Sequence, residues 1–217
     1  KIGSWLLVLG LFGAGVGGAF APWIWRESVA LKLTAPGLAE YVKFLPEIRT
    51  LQLQINRLHF LYPLFVVMLA LPLVAVNRQL RLPTWLRWLL RLTVLPFALA
   101  SLSPIWDPAI LFTAEFRTQT ILAGIAIGLT VVAPLFKNLS LKLLLAALSI
   151  SSLIALILAY RLFIMVQAPI AATYNGPVGL SWGWDLTVAG LIIGVGAGLA
   201  SLFGPRRRAR KVNGNDK

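Results

Sequence analysis

The chain has no cysteine and only one histidine, His59. Without thiols there is no disulfide framework, no thiol catalysis and no cysteine-based metal site. A single imidazole excludes bis-histidine haem and multi-histidine metal centres within the chain, so no metal and no cofactor are expected. Charge is scarce as well. Asp, Glu, Lys and Arg make up 12% of the 217 residues, where soluble domains carry about 25%. A soluble protein of this size would lack the charges to cover its surface. Apolar residues are in excess, at 59% against about 45–50% in ordinary soluble domains. This balance excludes a soluble enzyme, a disordered chain and a nucleic-acid module. It points to a polytopic membrane protein.

Six apolar runs can be read, at about 4–25, 60–76, 85–105, 120–136, 143–166 and 186–203. Each holds about 17–24 residues, which is roughly 25–36 Å of helix and suits a hydrocarbon layer of about 30 Å. The expected fold is all-α, one six-helix transmembrane domain over 1–204. A long outer loop spans 26–59, and a basic tail, read as disordered, covers 205–217. The first run starts with a basic residue and contains Ala19-Phe20-Ala21, which is like a leader cleavage site. Its apolar stretch is too long for a leader and Pro22 would follow the cut, so a retained anchor is expected. With Lys rather than Met at position 1, residues preceding it are also to be expected.

The distribution of charge sets an expected orientation. With the tail in the cytosol, thirteen of the 20 basic residues fall on the inner side, and six of the seven acids fall on the outer side. Basic residues concentrate in cytoplasmic loops, so the net charge of +13 follows from topology and needs no nucleic acid. Both termini are expected inside, in a bacterial plasma membrane. All eight Trp residues lie near a run end, as an interfacial belt would place them.

Within the outer loop, 36–45 reads as an amphipathic helix. Thr34 caps its start, Pro36 suits its first turn and Pro46 stops it. Leu38, Tyr41, Val42 and Leu45 share one face, while Glu40, Lys43 and Glu47 share another. Leu51–Ile55 alternates like a strand but has no visible partner, so an extended or helical lead-in is expected. Gly13-x-Gly15-x-x-Gly18 matches a dinucleotide fingerprint by letter, yet it lies inside an apolar run without the strand–turn–helix context that motif needs.

Helix packing explains the small residues better. Gly10, Ala14 and Gly18 recur every four residues in the first run. Gly190, Gly194 and Gly198 do so in the sixth, and Gly124 and Gly128 form a pair in the fourth. Such spacing lets helix backbones approach closely. The first and sixth helices are expected to pack tightly, on each other or on another subunit. Pro72 and Pro96 fall inside the second and third runs and can kink them. No acid lies in the middle of any run, which argues against a self-powered ion-coupled carrier. Ser149, Ser151 and Ser152 can bond back to helix carbonyls, and nothing nearby is placed to activate them.

Two polar groups remain as candidate sites. Glu27, Asn56, Arg57 and His59 could form a binding rim at the outer mouth, or simply anchor the interface. Arg78, Arg81, Arg87 and Arg91, with Arg206, Arg207, Arg208, Arg210 and Lys211 of the tail, form a basic inner surface. It would attract anionic lipid of the inner leaflet, or dock a cytoplasmic partner such as an ATPase. The leading expectation is a non-enzymatic membrane subunit of a transport system, a permease or substrate-binding component energised by a partner. The architecture is similar to small permease subunits of ATP-driven transporters, at the level of fold alone. A structural or assembly subunit of a larger membrane complex is the alternative. A lipid-modifying enzyme working near His59 is a third.

Overall fold

The computed structural model describes residues 2–27 and 31–203. The tail segment 205–217, with Arg206, Arg207, Arg208, Arg210 and Lys211, lies outside the described residues. The chain is mostly helical. Helix α1 covers Ile2–Ala19 and is followed by a small hairpin, β1 (Ile24–Arg26) and β2 (Leu31–Leu33). Helix α2 (Ala35–Tyr41) and the one-turn α3 (Pro46–Arg49) come next, then α4 (Tyr62–Val76), α5 (Thr84–Leu92) and α6 (Val94–Ser101). The one-turn α7 (Pro108–Leu111), α8 (Arg117–Val132), α9 (Leu141–Thr173) and α10 (Trp182–Phe203) complete the order. Among the described residues, four helices are long and apolar enough to cross a membrane: α1, α8 with its 3-10 extension to Phe136, α9 and α10. Helix α4 is equally apolar but has only 15 residues.

Helix α4 is the hub, packed against α1, α5, α6, α8 and α9. That position explains its sequence. A helix enclosed on all sides must be apolar all round, and Leu64, Met68, Leu71 and Val74 are fully buried. Pro72 sits inside α4 without breaking it. Helix α10 lies against α1 and α9.

The structure differs from the sequence reading in several places, each with a local cause. The first helix stops at Ala19 rather than running to Trp25. Pro22 cannot donate to a continuing helix, and the Trp23 amide instead donates to the Leu33 carbonyl at 2.8 Å. That bond leads into the antiparallel hairpin, in register Ile24 with Leu33 and Arg26 with Leu31, so the fold is not purely helical. The third run is two helices, α5 and α6, meeting at Thr93. Pro96 has no amide for the Leu92 carbonyl, and its ring clashes with it, so the ladder breaks between them.

Helix α9 runs well past Val166 to Thr173. It ends where Asn175 turns left-handed (φ 49°) and the Gly176 amide donates to the Ala171 carbonyl at 3.0 Å, the bond of a Schellman cap. Trp23 is no interfacial anchor. It is fully buried, edge-on to Trp184 at 4.9 Å, and its indole Nε1 donates to the Gly17 carbonyl at 3.1 Å.

The amphipathic segment of the long loop forms as α2. Thr34 Oγ1 accepts from the Gly37 amide at 3.2 Å, and Pro36 occupies the first turn. After a 3-10 turn, Val42–Phe44, Pro46 restarts the chain as α3. Leu38, Val42 and Leu45 are buried while Glu40 and Lys43 stay at the surface, so α2 lies across one end of the bundle as a cap. Leu51–Ile55 forms no strand: it starts as a turn with Leu51 left-handed (φ 59°), and the Leu53 amide donates back to the Glu47 carbonyl at 2.9 Å.

Candidate functional site

Three features can carry function: a small-residue seam, an ion network under the cap, and a cationic cavity at the opposite end. The seam joins α1 and α10. A Cβ added at Gly10 would lie 2.5 Å from both the Gly190 carbonyl oxygen and the Gly194 nitrogen. One added at Gly190 would lie 2.6 Å from the Ala14 nitrogen. Only hydrogen fits between these backbones, so dispersion acts at closest range. Gly18 touches Leu64 of α4 instead, and Gly198 faces the Leu145 side chain of α9. Gly124 and Gly128 on α8 face open space.

At the capped end, Arg57 is the centre. It precedes α4 on a 3-10 turn (Arg57–Phe60) whose start Asn56 caps, its Oδ1 accepting from the Leu58 amide at 3.1 Å. Arg57 Nη1 donates to Glu40 Oε1 at 2.6 Å and Nη2 donates to the Glu115 carbonyl at 2.8 Å. Lys43 Nζ bridges Glu40 and Glu115 at 2.6 and 2.7 Å. The Arg57 guanidinium and the Lys43 ammonium both lie over the Phe116 ring, at 4.6 and 4.7 Å from its centre. The network ties α2, the approach to α4 and the approach to α8 together. Tyr41 adds a contact with Tyr174, ring centres 6.1 Å apart. Burial, and next its bond with Tyr174, push its hydroxyl up to about 12.

The four residues expected at the rim are divided: Asn56 and His59 line one notch, while Arg57 and Glu27 lie apart from it. Arg57 turns to Glu40 and Glu115, and Asn56 caps its own turn. Glu27 is exposed and, among the described residues, makes no ion pair with Arg57 or His59. His59 packs on Tyr62, ring centres 5.1 Å apart, and burial lowers its pKa below the ordinary value. It lines a notch of about 270 Å³ with Gln54, Asn56, Leu158, Arg161 and Met165. Among the described residues no carboxylate pairs with the imidazole, so the notch holds no acid–base pair.

The other end is different in character. A cavity of about 300 Å³ opens between the α4–α5 turn, α5 and the end of α8. Arg78, Arg87, Arg91 and Lys137 line it, together with Thr84, Val76, Trp88 and Pro134. Arg91 Nε donates to the Thr130 carbonyl at 2.8 Å, and its guanidinium lies 4.5 Å from the Trp88 ring centre. Arg87 Nε is buried with no hydrogen-bond partner among the described residues. Buried Asn77 fixes the walls. Its Nδ2 donates to the Leu139 carbonyl at 2.9 Å, and the Arg78 amide donates to the Lys137 carbonyl at 3.3 Å. Arg81 is left-handed (φ 49°), turns the chain toward α5 and lies outside the cavity lining.

Sequence reasoning missed Glu40 and Glu115 as partners of Arg57, Lys43 as the second cation between them, and Lys137 as the fourth cation of the cavity. Glu40 and Lys43, three apart on a helix, were legible as a local pair. Glu115 lies 58 positions beyond Arg57 and no local pattern links them. Of the serines, Ser149 Oγ donates to the Leu145 carbonyl and Ser151 Oγ to the Ala147 carbonyl, both at 2.7 Å, whereas Ser152 Oγ is buried with no such partner. No protein-family model, curated protein or solved structure matches the chain. The fold defines a mostly helical protein with four helices, among the described residues, that are long and apolar enough to cross a membrane.

Proposed function

We propose that the chain is a six-pass integral membrane protein of the bacterial plasma membrane, both termini cytosolic, acting as a non-catalytic subunit of a larger membrane assembly. In this reading α4 and the α5–α6 pair are the two further crossings. The observation that carries the reading is the contrast between a filled centre and a bare flank. The hub side chains of α4 are fully buried. Helix α8 buries only Gln119, Ala123 and Ala126 and leaves Gly124 and Gly128 in open space. Small residues on a free helix face suit close packing by another transmembrane helix.

Cross-linking in native membranes, followed by mild solubilisation, tests this. A defined complex containing the chain is expected. A solitary monomer before and after cross-linking would refute it. Topology is tested separately with single cysteines, since the chain has none of its own. A cysteine replacing Lys142 should label from the cytosol, and one replacing Arg49 from outside.

A second reading, a membrane component of an ATP-driven transport system, is favoured by one feature. The helix break at Thr93–Pro96 adjoins the cationic cavity, and interrupted helices commonly flank transport paths. Co-purification of an ATPase whose activity rises on reconstitution with the chain would support this reading over a purely structural role.

A further inference from the structure

The cationic cavity beside α5 shows an imbalance that the fold itself does not require. Four cations, Arg78, Arg87, Arg91 and Lys137, line a space of about 300 Å³, and no carboxylate is among the lining residues. The capped end shows the contrasting arrangement, where Arg57 and Lys43 meet Glu40 and Glu115 in full. Like charges gathered around one space repel unless an anion joins them. Arg87 Nε is buried there with its hydrogen-bonding capacity unused, and a buried donor without a partner is unfavourable. The cavity walls are also fixed in place. Arg91 is held by the Thr130 carbonyl and the Trp88 ring, and the two loops bearing Arg78 and Lys137 are bonded to each other.

The surroundings indicate what brings the anion. Helix α5 turns Leu86 and Leu90 into the bundle and leaves Trp85, Trp88, Leu89 and Leu92 exposed. Exposed tryptophans beside arginines mark the headgroup-level end of a membrane crossing, here the inner end of the α5–α6 pair. Val76, Pro134 and Trp88 supply apolar walls to the cavity itself. Arginine guanidinium forks pair bidentately with phosphate oxygens as they do with carboxylates, and phosphate is the anion that a bilayer supplies at this level.

We propose that this cavity binds a phosphate group, carried by an anionic phospholipid whose acyl chains lie along the exposed face of α5. The site rests on the reading of the chain as a membrane protein. Arg78 and Lys137 provide long-range attraction from the rim. Arg87 and Arg91 provide directed hydrogen bonds from within. Arg81, though in the same basic segment, points to no role in the site.

The test uses the full chain in nanodiscs of neutral phosphatidylcholine, doped with phosphatidylglycerol, and reads lipid retained after delipidation by native mass spectrometry. Phosphatidylglycerol should be retained over phosphatidylcholine. Arg78→Gln with Lys137→Gln, both exposed at the rim and outside the packed core, should weaken retention roughly 25-fold, about fivefold for each charge near the surface. Arg87→Gln should weaken it further still. Lys142→Gln removes the same charge from the same end outside the cavity and should change retention little. A loss of about fivefold for Lys142→Gln, the same per charge as for the rim variants, would overturn the site in favour of diffuse attraction. A second arm adds inorganic phosphate to the protein in neutral detergent. Protection against thermal unfolding that the cavity variants abolish would keep the phosphate site but overturn lipid as its source. No selective retention and no protection would overturn the proposal altogether. Incorporation into nanodiscs at all tests the membrane reading separately, so the two can fail independently.

Discussion

The seam between α1 and α10 makes a graded prediction. A Cβ at position 10 would stand 2.5 Å from backbone atoms of α10, where ordinary contact begins near 3.4 Å. The two helices would therefore have to part by about 1 Å. A gap of that size forfeits roughly a quarter to a half of each dispersion contact along the seam, and overpacking of this kind costs about 1–3 kcal/mol. Alanine returns about 0.5–1 kcal/mol through its better fit to a helix, so Gly10→Ala should destabilise by about 1–2 kcal/mol. Gly194→Ala meets its nearest atom at 3.3 Å and should be close to neutral. Gly124→Ala enters open space and should stabilise by about 0.5–1 kcal/mol. The assay is reversible unfolding in mixed micelles titrated with sodium dodecyl sulfate, followed by circular dichroism. If the Gly10 and Gly124 variants lost or gained the same stability, the close approach of α1 and α10 would be wrong.

Other outcomes follow from the two ends. Arg57→Ala removes two charge-assisted hydrogen bonds and a ring contact and should cost about 2–4 kcal/mol, with faster proteolysis of residues 35–60 as the readout. Burial depresses the His59 pKa, so the unfolded chain takes up the proton first. That contribution to stability is present above the unfolded value of about 6.5 and lessens as pH falls through that region. His59→Gln should therefore flatten the stability profile between pH 7.5 and 5.5, measured by the same unfolding assay. Arg81→Gly relieves a left-handed residue and should change stability by no more than about 1 kcal/mol while leaving lipid retention intact. In native membranes Gly124→Leu should abolish co-migration with partner subunits, although the isolated variant folds normally.

The features legible in the sequence were those written locally. The Thr34 cap, the Pro36 first turn and the buried face of Leu38, Val42 and Leu45 were readable from spacing. The apolar runs marked where helices form. The end points were less readable because tertiary bonds set them: the Trp23 amide leaves the helix for Leu33, and α9 runs on to Thr173, beyond which Tyr174 meets Tyr41 and Arg26. The hairpin was missed because three-residue strands carry too little alternation to stand out. Arg57 left Asn56 and His59 for an electrostatic reason. Arg57 found acids contributed by α2 and by the loop before α8, and charge pairing across 58 positions leaves no trace in spacing. The cationic cavity was half legible. Its arginines stood out as a cluster, while Lys137 belonged to another loop until Asn77 drew the two together.

Helix α9 sets a dimension for the whole molecule. Its 33 residues make a rod of roughly 50 Å. Even leaning at about 40°, the steep end of what membrane helices adopt, it would cover roughly 38 Å of depth, more than a hydrocarbon layer of about 30 Å. In a bilayer the far end of the rod must then rise above the acyl chains as a stalk. At that end the Tyr174 carbonyl accepts from Arg26 of the hairpin and the Tyr174 ring lies beside Tyr41 of α2, which ties both to the stalk. Their height is fixed by covalent length, so a membrane of different thickness would alter the lean of the stalk before it altered the platform.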